Sequence, residues 1–308
     1  MRDSVLVLDT QQSGRRGITA STAIDTGDGL ALFDCGPEST FDNIAADLEA
    51  AGHSAREVRH VFLSHIHLDH AGAAWRFAEL GARIYVHPRG AAHLIDPTKL
   101  IESATRIFGE NMEKLWGRIA PVPQNQLQIA NDGDQFQVGN VAVRALATPG
   151  HASHHNIYHW DDNVFGGDVA GVRLGSGPPI PPFVPPELQL EQWLESIETI
   201  RKLDPARIYL PHFGVVDGNV APHLEALTER VHRWGNWFRD ALRAGRADAE
   251  LIPSFAAYEA DDLRAAGAPE EAVTAYECAD PSFMAVTAGL RYWKKYHPEA
   301  LTVDPSTR

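Results

Sequence analysis

Cysteine is scarce in this sequence: the 308 residues include only Cys35 and Cys278. Two cysteines so far apart exclude a disulfide framework and a thiolate metal site, and they fit the reducing cytosol. The first residues, MRDSVLVLDT, lack the basic and apolar regions of a secretory signal. No segment approaches the roughly 18 apolar residues that a membrane span needs. We therefore expect a cytoplasmic protein without a membrane partner.

Basic residues are also few, with 27 Lys+Arg against 41 Asp+Glu and a formal net charge of −14. This charge has the wrong sign for a surface that neutralises phosphates, so we expect no nucleic-acid partner. The hydrophobic share of 44% and the charged share of 22% lie close to the usual globular mixture. The composition thus excludes a disordered or fibrous chain.

The first two-thirds of the chain alternates strand-like and helix-like segments. Two β-rich runs at 18–25 and 29–34 flank a Gly-Asp-Gly turn and predict a hairpin. Apolar spacing predicts a helix over 71–80, and 136–148 and 156–167 have the pattern of successive antiparallel strands. We predict an α/β domain over residues 1–215.

The strand pattern stops after about Gly214. Apolar residues then recur every three or four positions from 224 to 242, which predicts a long amphipathic helix within 219–244. Shorter helices are expected over 254–266, 268–278 and 282–296. We assign residues 216–308 to a C-terminal helical extension that either lines a substrate pocket or forms the seam of a homodimer.

A proline-rich segment, GPPIPPFVPP at 177–186, has six prolines in ten residues. It cannot pair in a sheet or continue a helix, because proline lacks a backbone N–H and has a fixed φ. We predict a stiff surface loop that forms a rigid wall beside the functional site.

Histidine, in contrast, is abundant, with 15 in the chain. The segment SHIHLDH at 64–70 follows a predicted strand and concentrates four potential metal ligands. His65 and His67 point the same way if the chain stays extended, while the apolar residues between and after them point into the core. Asp69 and His70 fall where the next helix begins, so the turn presents a second carboxylate–imidazole pair nearby. Two neighbouring metal ions become possible at this site.

Three more candidate ligands follow strand-like segments: His151 in TPGH, Asp168 in FGGD and His212 in YLPH. Gly150 tolerates a backbone conformation that other residues avoid, so its turn can aim His151 across the end of the sheet. Every candidate ligand therefore lies at the end of a strand.

These motifs, with Asp34 in LFDCG, resemble the metallo-β-lactamase superfamily, whose fold is an αββα four-layer sandwich. The resemblance covers roughly residues 18–214, and all of the motifs occur in order. It implies two ligand groups joined by a bridging carboxylate: His65, His67 and His151; Asp69, His70 and His212; and Asp168 between them.

The implied cofactors are two divalent metal ions per chain. Imidazole and carboxylate ligands without thiolate suit zinc, iron and manganese, and zinc is our first choice. Two such ions lie about 3.5–4 Å apart and share a hydroxide, which is a nucleophile at neutral pH. Asp69 and Asp168, together with that metal-bound hydroxide, form the predicted catalytic group.

Other residues receive supporting roles. We expect Asp34 to steady a metal ligand or a turn, because the ligand positions are already filled. We expect Cys35 to be a small buried residue. His154 and His155 either line the pocket, where they could donate protons, or are structural, and Phe183 is a candidate for the substrate pocket. The remaining histidines are expected to be packed or surface residues: His53, His60, His93, His159, His223, His232 and His297.

The resemblance implies a metal-dependent hydrolase, and its small-molecule substrate would be a thioester, ester or lactone of a small acyl compound. The helices after His212 are similar in placement to those of glyoxalase II, the hydroxyacylglutathione hydrolase. The glutathione-binding basic and tyrosine residues of that enzyme have no match here, and the tyrosine of quorum-quenching lactonases is missing from 169–176. The alternative is an oxidoreductase that resembles persulfide dioxygenases. It would bind one non-haem iron through His65, His151 and Asp168.

Overall fold

The computed structural model describes residues 5–301. Twelve strands, β1 to β12, occupy the following ranges: Val5–Asp9, Ala20–Asp25, Leu30–Phe33, Val58–Phe62, Arg83–Val86, Leu127–Ile129, Gln135–Val138, Val141–Ala147, Asn156–Trp160, Asn163–Phe165, Arg207–Leu210 and Gly214–Asp217. Eleven helices, α1 to α11, occupy these: Phe41–Ala50, Leu68–Ala71, Ala74–Glu79, Pro88–Ile95, Thr98–Phe108, Met112–Trp116, Leu190–Leu203, Ala221–Arg243, Asp248–Ala265, Glu270–Ala279 and Ser282–Tyr296.

The strands form two six-stranded sheets. The first has the order β1-β2-β3-β4-β5-β6, and the second has the order β12-β11-β10-β9-β8-β7. The predicted hairpin is present as the antiparallel pair β2–β3, whereas β3 to β6 run parallel. In the second sheet only β10 and β11 are parallel among the described strands.

The two sheets pack face to face over a core rich in aromatic rings. Phe33 of the first sheet stacks on Trp160 of the second with ring centroids 4.6 Å apart, and Phe62 and Tyr158 lie beside them. Helices α1, α3 and α4 pack on the outer face of the first sheet, and α7 to α11 pack outside the second. The predicted αββα sandwich with C-terminal helices is confirmed.

Three details differ from the sequence-based predictions. The helix predicted over 71–80 is shorter in the structure: α2 ends at Ala71, and α3 covers only Ala74–Glu79. Strand β12 was not predicted, because four residues at a sheet edge are too few to show a periodic pattern.

The third difference concerns the proline-rich loop, which was predicted to lie on the surface. Most of residues 177–183 are buried beneath the C-terminal helices. Burial is possible because the carbonyls find donors: the Tyr276 hydroxyl donates to Pro178 O at 2.6 Å, and His151 Nδ1 lies 2.9 Å from Pro182 O.

No helix between residues 5 and 301 combines the length and the apolar character that crossing a bilayer requires.

Candidate metal centre

The candidate ligands come together where strands of the two sheets end. The 64–70 segment follows β4, His151 follows β8, Asp168 follows β10 and His212 follows β11. Parallel strands bring their carboxyl ends to the same edge of a sheet, as β3 and β4 do in the first sheet and β10 and β11 in the second. The fold thereby gathers residues that lie up to about 150 positions apart in the chain.

The first group consists of three imidazoles and one carboxylate oxygen. His67 Nδ1 lies 2.8 Å from His65 Nε2 and 3.0 Å from His151 Nε2. Asp168 Oδ2 lies 3.3 Å from His151 Nε2 and 3.8 Å from His65 Nε2. These four atoms surround one point, as ligands of a single ion do.

The second group lies on the other side of Asp168. Asp69 Oδ2 is 3.4 Å from both His70 Nε2 and His212 Nε2. The second oxygen of the shared carboxylate, Asp168 Oδ1, lies 3.5 Å from His70 Nε2 and 3.7 Å from His212 Nε2. Asp168 thus directs one oxygen toward each group.

The residues present fit metal ions. Within each group the ligand atoms all lie within 4.8 Å of one another. Among the described residues, His70 Nε2 and Asp168 Oδ1 are buried and have no hydrogen-bond partner. Buried polar atoms without a partner are costly, so two of them facing each other across a cluster of imidazoles fit a site that binds a cation.

The electrostatics of the cluster also favour a cation. Burial raises the pKa of Asp168, but the nearby imidazoles, including His70 and His151, together lower it by more. The net pKa lies well below the usual range of a carboxyl group, so Asp168 stays ionised. Burial lowers the pKa of His65 and of His67, and neighbouring imidazoles lower both again. Neutral imidazoles and ionised carboxylates are the forms that bind metal.

Hydrogen bonds behind the ligands orient their rings. Asp34 Oδ2 lies 2.8 Å from His70 Nδ1, and its carboxylate accepts from the Ser64 N–H at 2.7 Å and from the Ser64 hydroxyl at 2.7 Å. A backbone carbonyl plays the same role for His212, whose Nδ1 lies 3.1 Å from Ile18 O. Each such contact leaves Nε2 of the ring free to face a metal. Asp34 therefore lies behind the ligands and not among them.

Glycine permits two close approaches in the ligand loops. Gly150 has φ +138°, and a side chain there would collide with the backbone of Trp193. Gly167, next to Asp168, has φ +52°, and a side chain there would strike the ring of His155. Both conformations favour glycine, as predicted for Gly150.

The remaining predicted site residues separate into two kinds. His154 lines the cavity beside the ligands. His155 is structural: its Nδ1 lies 2.8 Å from the Thr148 hydroxyl, and its Nε2 accepts from the Asp168 N–H at 3.1 Å. The prediction for Phe183 is wrong, because its side chain is fully buried against Trp193 and takes no part in the cavity wall.

A cavity of about 620 Å³ opens above the two ligand groups. Asp69, Asp168 and His212 lie in its wall, whose remainder is mostly apolar. Helices α5 and α6, the proline-rich loop and the segment from the end of α10 into α11 supply much of that remainder: Leu100, Ile107, Phe108, Leu115, Trp116, Pro182, Val184, Pro185, Ala279, Pro281 and Met284. A volume of this size suits a small molecule.

Several wall residues were not identified from the sequence. Arg15 and Lys99 lie at the cavity, as does His93, which was expected to be an ordinary packed or surface residue. Asp280 comes from the C-terminal helices. Each of these polar residues stands alone in its segment, so no motif or residue spacing in the sequence identifies it as part of a site.

Comparison with known proteins gives the family. The sequence model of the metallo-beta-lactamase superfamily matches residues 14–212. A metallo-beta-lactamase fold-containing protein of Sulfurisphaera tokodaii is 26% identical over 176 residues, which are 56% of this chain and 67% of that protein. An atrochrysone carboxyl ACP thioesterase of Aspergillus fumigatus is 27% identical over 218 residues, 70% of this chain and 56% of that protein.

A hydroxyacylglutathione hydrolase of Methylococcus capsulatus is 32% identical over 140 residues, 42% of this chain and 48% of that protein. The chain thus spans about half to two-thirds of the length of these curated relatives. Among solved structures, a metallo-beta-lactamase family protein of Thermus thermophilus has the same fold, with a TM-score of 0.66 at 22% identity over 94% of this chain and 93% of that one. The chain belongs to the metallo-β-lactamase superfamily.

Proposed function

We propose that this protein is a dinuclear metal-dependent hydrolase that acts on a thioester, ester or lactone of a small acyl compound. The observation that carries the proposal is the position of Asp168. Its two oxygens face two separate and complete sets of ligands, which is the arrangement that a pair of cations requires.

The residues of each set have distinct tasks. His65, His67 and His151 would hold one ion, and Asp69, His70 and His212 would hold the other, with zinc as the first choice. When bound, two divalent cations lower the pKa of a bound water from 15.7 to about 7 and polarise a carbonyl. Asp69, the most exposed member of its set, lies in the cavity wall, where its carboxylate would accept a hydrogen bond from the nucleophile and orient it.

The surroundings favour a small, uncharged or anionic acyl substrate. Asp69 and Asp168 offset only part of the positive charge that two divalent cations bring, so the cavity floor attracts carbonyl and anionic groups. The mostly apolar walls suit the acyl chain.

The relatives add support for thioesters. The Aspergillus protein is named an ACP thioesterase, and the Methylococcus protein is named a hydroxyacylglutathione hydrolase. Residues of α10 and α11 also line the cavity, in a placement similar to that of the C-terminal helices of glyoxalase II. Glutathione itself is not proposed as the carrier, because the basic and tyrosine residues that would bind it have no match in this sequence.

Metal counting on the full chain tests the proposal. We expect about two zinc, iron or manganese ions per freshly purified chain, together with turnover of thioesters or lactones. His212→Ala removes a ligand of the second set only, so it should bind about one ion and lose activity.

His65→Ala is the matched control, because it removes a ligand of the first set. The alternative, a mononuclear iron oxygenase, predicts a different result: one iron per chain, thiol-dependent oxygen uptake, and the same iron content in His212→Ala as in the wild type. That result would refute the dinuclear proposal.

A further inference from the structure

A single buried histidine contacts both the loop of His151 and the loop of Asp168. This residue, His155, lies directly before β9 and closes the loop that carries His151. The Thr148 N–H donates to His155 O at 2.9 Å, and the Thr148 hydroxyl lies 2.8 Å from His155 Nδ1. The main chain and the ring of His155 therefore both fix the ends of the His151 loop.

The other ring nitrogen of His155 contacts the loop that carries the shared carboxylate. Its Nε2 accepts from the Asp168 N–H at 3.1 Å and from the Val169 N–H at 3.4 Å. Because these groups can only donate, Nε2 has no proton, and the ring proton lies on Nδ1, where it donates to the Thr148 hydroxyl. Both nitrogens are thus engaged, and His155 is not itself a metal ligand.

Other side chains hold the same loop, but they contact it beyond Asp168. Trp193 of α7 donates its Nε1–H to Val169 O at 2.9 Å, and His223 of α8 donates to Ala170 O at 2.8 Å. Among the described residues, His155 is the partner of the Asp168 N–H itself. It is therefore the contact that fixes the peptide group from which the Asp168 side chain extends.

We propose that His155 is a positioning residue, which fixes the Asp168 carboxylate relative to His151 so that one carboxylate reaches both ligand groups. The inference rests on the proposed dinuclear function. The two Asp168 oxygens must meet two ligand groups at once, and a supporting contact that leaves a site about 1 Å too loose is enough to impair it. Without His155, the two metal ions should no longer share the carboxylate.

Loading the metal-free full chain with manganese(II) tests this inference. Two manganese ions that share a bridge are magnetically coupled, and their electron paramagnetic resonance spectrum differs from that of isolated ions. We expect two ions and the coupled spectrum in the wild type. In His155→Leu the affinity for the more weakly bound ion should fall about 10- to 100-fold, and the bound ions should give the spectrum of isolated ions. His155→Gln has a carbonyl oxygen that can accept from the Asp168 N–H, so it should restore most of the affinity and the coupling.

Trp193→Phe is the matched control, because it removes a hydrogen bond from the same loop but leaves the Asp168 N–H paired. It should unfold at a lower urea concentration than the wild type and still bind two coupled ions. Wild-type affinity with a coupled spectrum in His155→Leu, or an equal loss of coupling in Trp193→Phe, would refute the role of His155.

Two further outcomes are informative. If His155→Leu does not fold, Thr148→Val replaces it: this variant keeps the ring but removes the hydroxyl that Nδ1 contacts, and wild-type affinity in it would refute the role of His155. A wild type that binds fewer than two manganese ions would instead refute the proposed dinuclear centre.

Discussion

Asp34 supports both ligand groups of the candidate centre without belonging to either. Its carboxylate lies against His70 Nδ1, and through the Ser64 hydroxyl it reaches His65, whose Nδ1 is 2.9 Å from that hydroxyl. Asp34 has a φ of +51°, which is uncommon for a residue with a side chain. The contacts to Ser64 and His70 are what hold this strained conformation in place.

Asp34→Ala should therefore weaken metal binding although Asp34 is not a ligand. We expect the metal affinity to fall about 10- to 100-fold, the range typical for partners of metal-binding histidines. The ion of the second set should be lost first, because His70 has the direct contact. Chelator competition, with metal content read at each step, measures the effect. The control is Ser64→Ala, which removes only the hydroxyl and should lower the metal affinity less. If both variants bound metal as tightly as the wild type, this role of Asp34 would be contradicted.

The residues of the two candidate ligand groups could be identified from the sequence, whereas those of the facing cavity wall could not. His65, His67 and His70 are close in the chain, and the downstream ligands each follow a strand with a recognisable turn. Asp280 is more than one hundred residues from Asp168, and only the packing of α10 and α11 brings it to the cavity. Phe183 was assigned to the pocket wrongly for the same reason. Distant helices bury its ring, and no local sequence pattern shows that they pack on the proline-rich loop.

At the scale of elements, α8 holds the loop that contains Asp168. His223 in the first turn of α8 is 6% exposed, and its Nε2–H donates to Ala170 O at 2.8 Å. Its Nδ1 is buried without a partner among the described residues. Burial lowers the pKa of His223 to about 4. Helix α8 thus contacts the loop that contains Asp168 through a histidine that stays neutral.

This contact predicts a pH dependence of stability. The folded-state pKa of His223 lies below the unfolded value of about 6.5, so its contribution is complete above that pH and is lost as the pH falls toward about 4. His223→Gln keeps an N–H donor but does not titrate. The wild type should therefore lose up to about 3 kcal/mol more than the variant between these pH values. Urea unfolding at several pH values measures the difference, and parallel curves for the two proteins would contradict the assignment.

At the scale of the whole molecule, the C-terminal helices and the second sheet share one apolar core. Ile157, Val164 and Ile208 of the sheet belong to the same buried cluster as Leu224 and Trp234 of α8. The cluster continues through α9, α10 and α11, which include Phe255, Tyr276 and Leu290. The sequence indicated where the helical part begins but not that it completes this core, because side-chain periodicity identifies an apolar face without identifying what covers it.

A chain that ends at Asp217 should consequently not fold to the native state. It would expose the outer face of the second sheet and of α7, where each large apolar side chain contributes about 1.5–3 kcal/mol when buried. If several of these side chains lose their burial, the total loss exceeds the roughly 5–15 kcal/mol by which a typical domain is stable. We expect aggregation in gel filtration and loss of near-ultraviolet circular dichroism, and adding the separate 218–308 segment should restore part of the signal. If the shortened chain were instead monomeric, with native dichroism and two bound metal ions, the helices would be an accessory to a complete domain. The cavity wall that contains Asp280 would then be an addition to an independently stable metal centre.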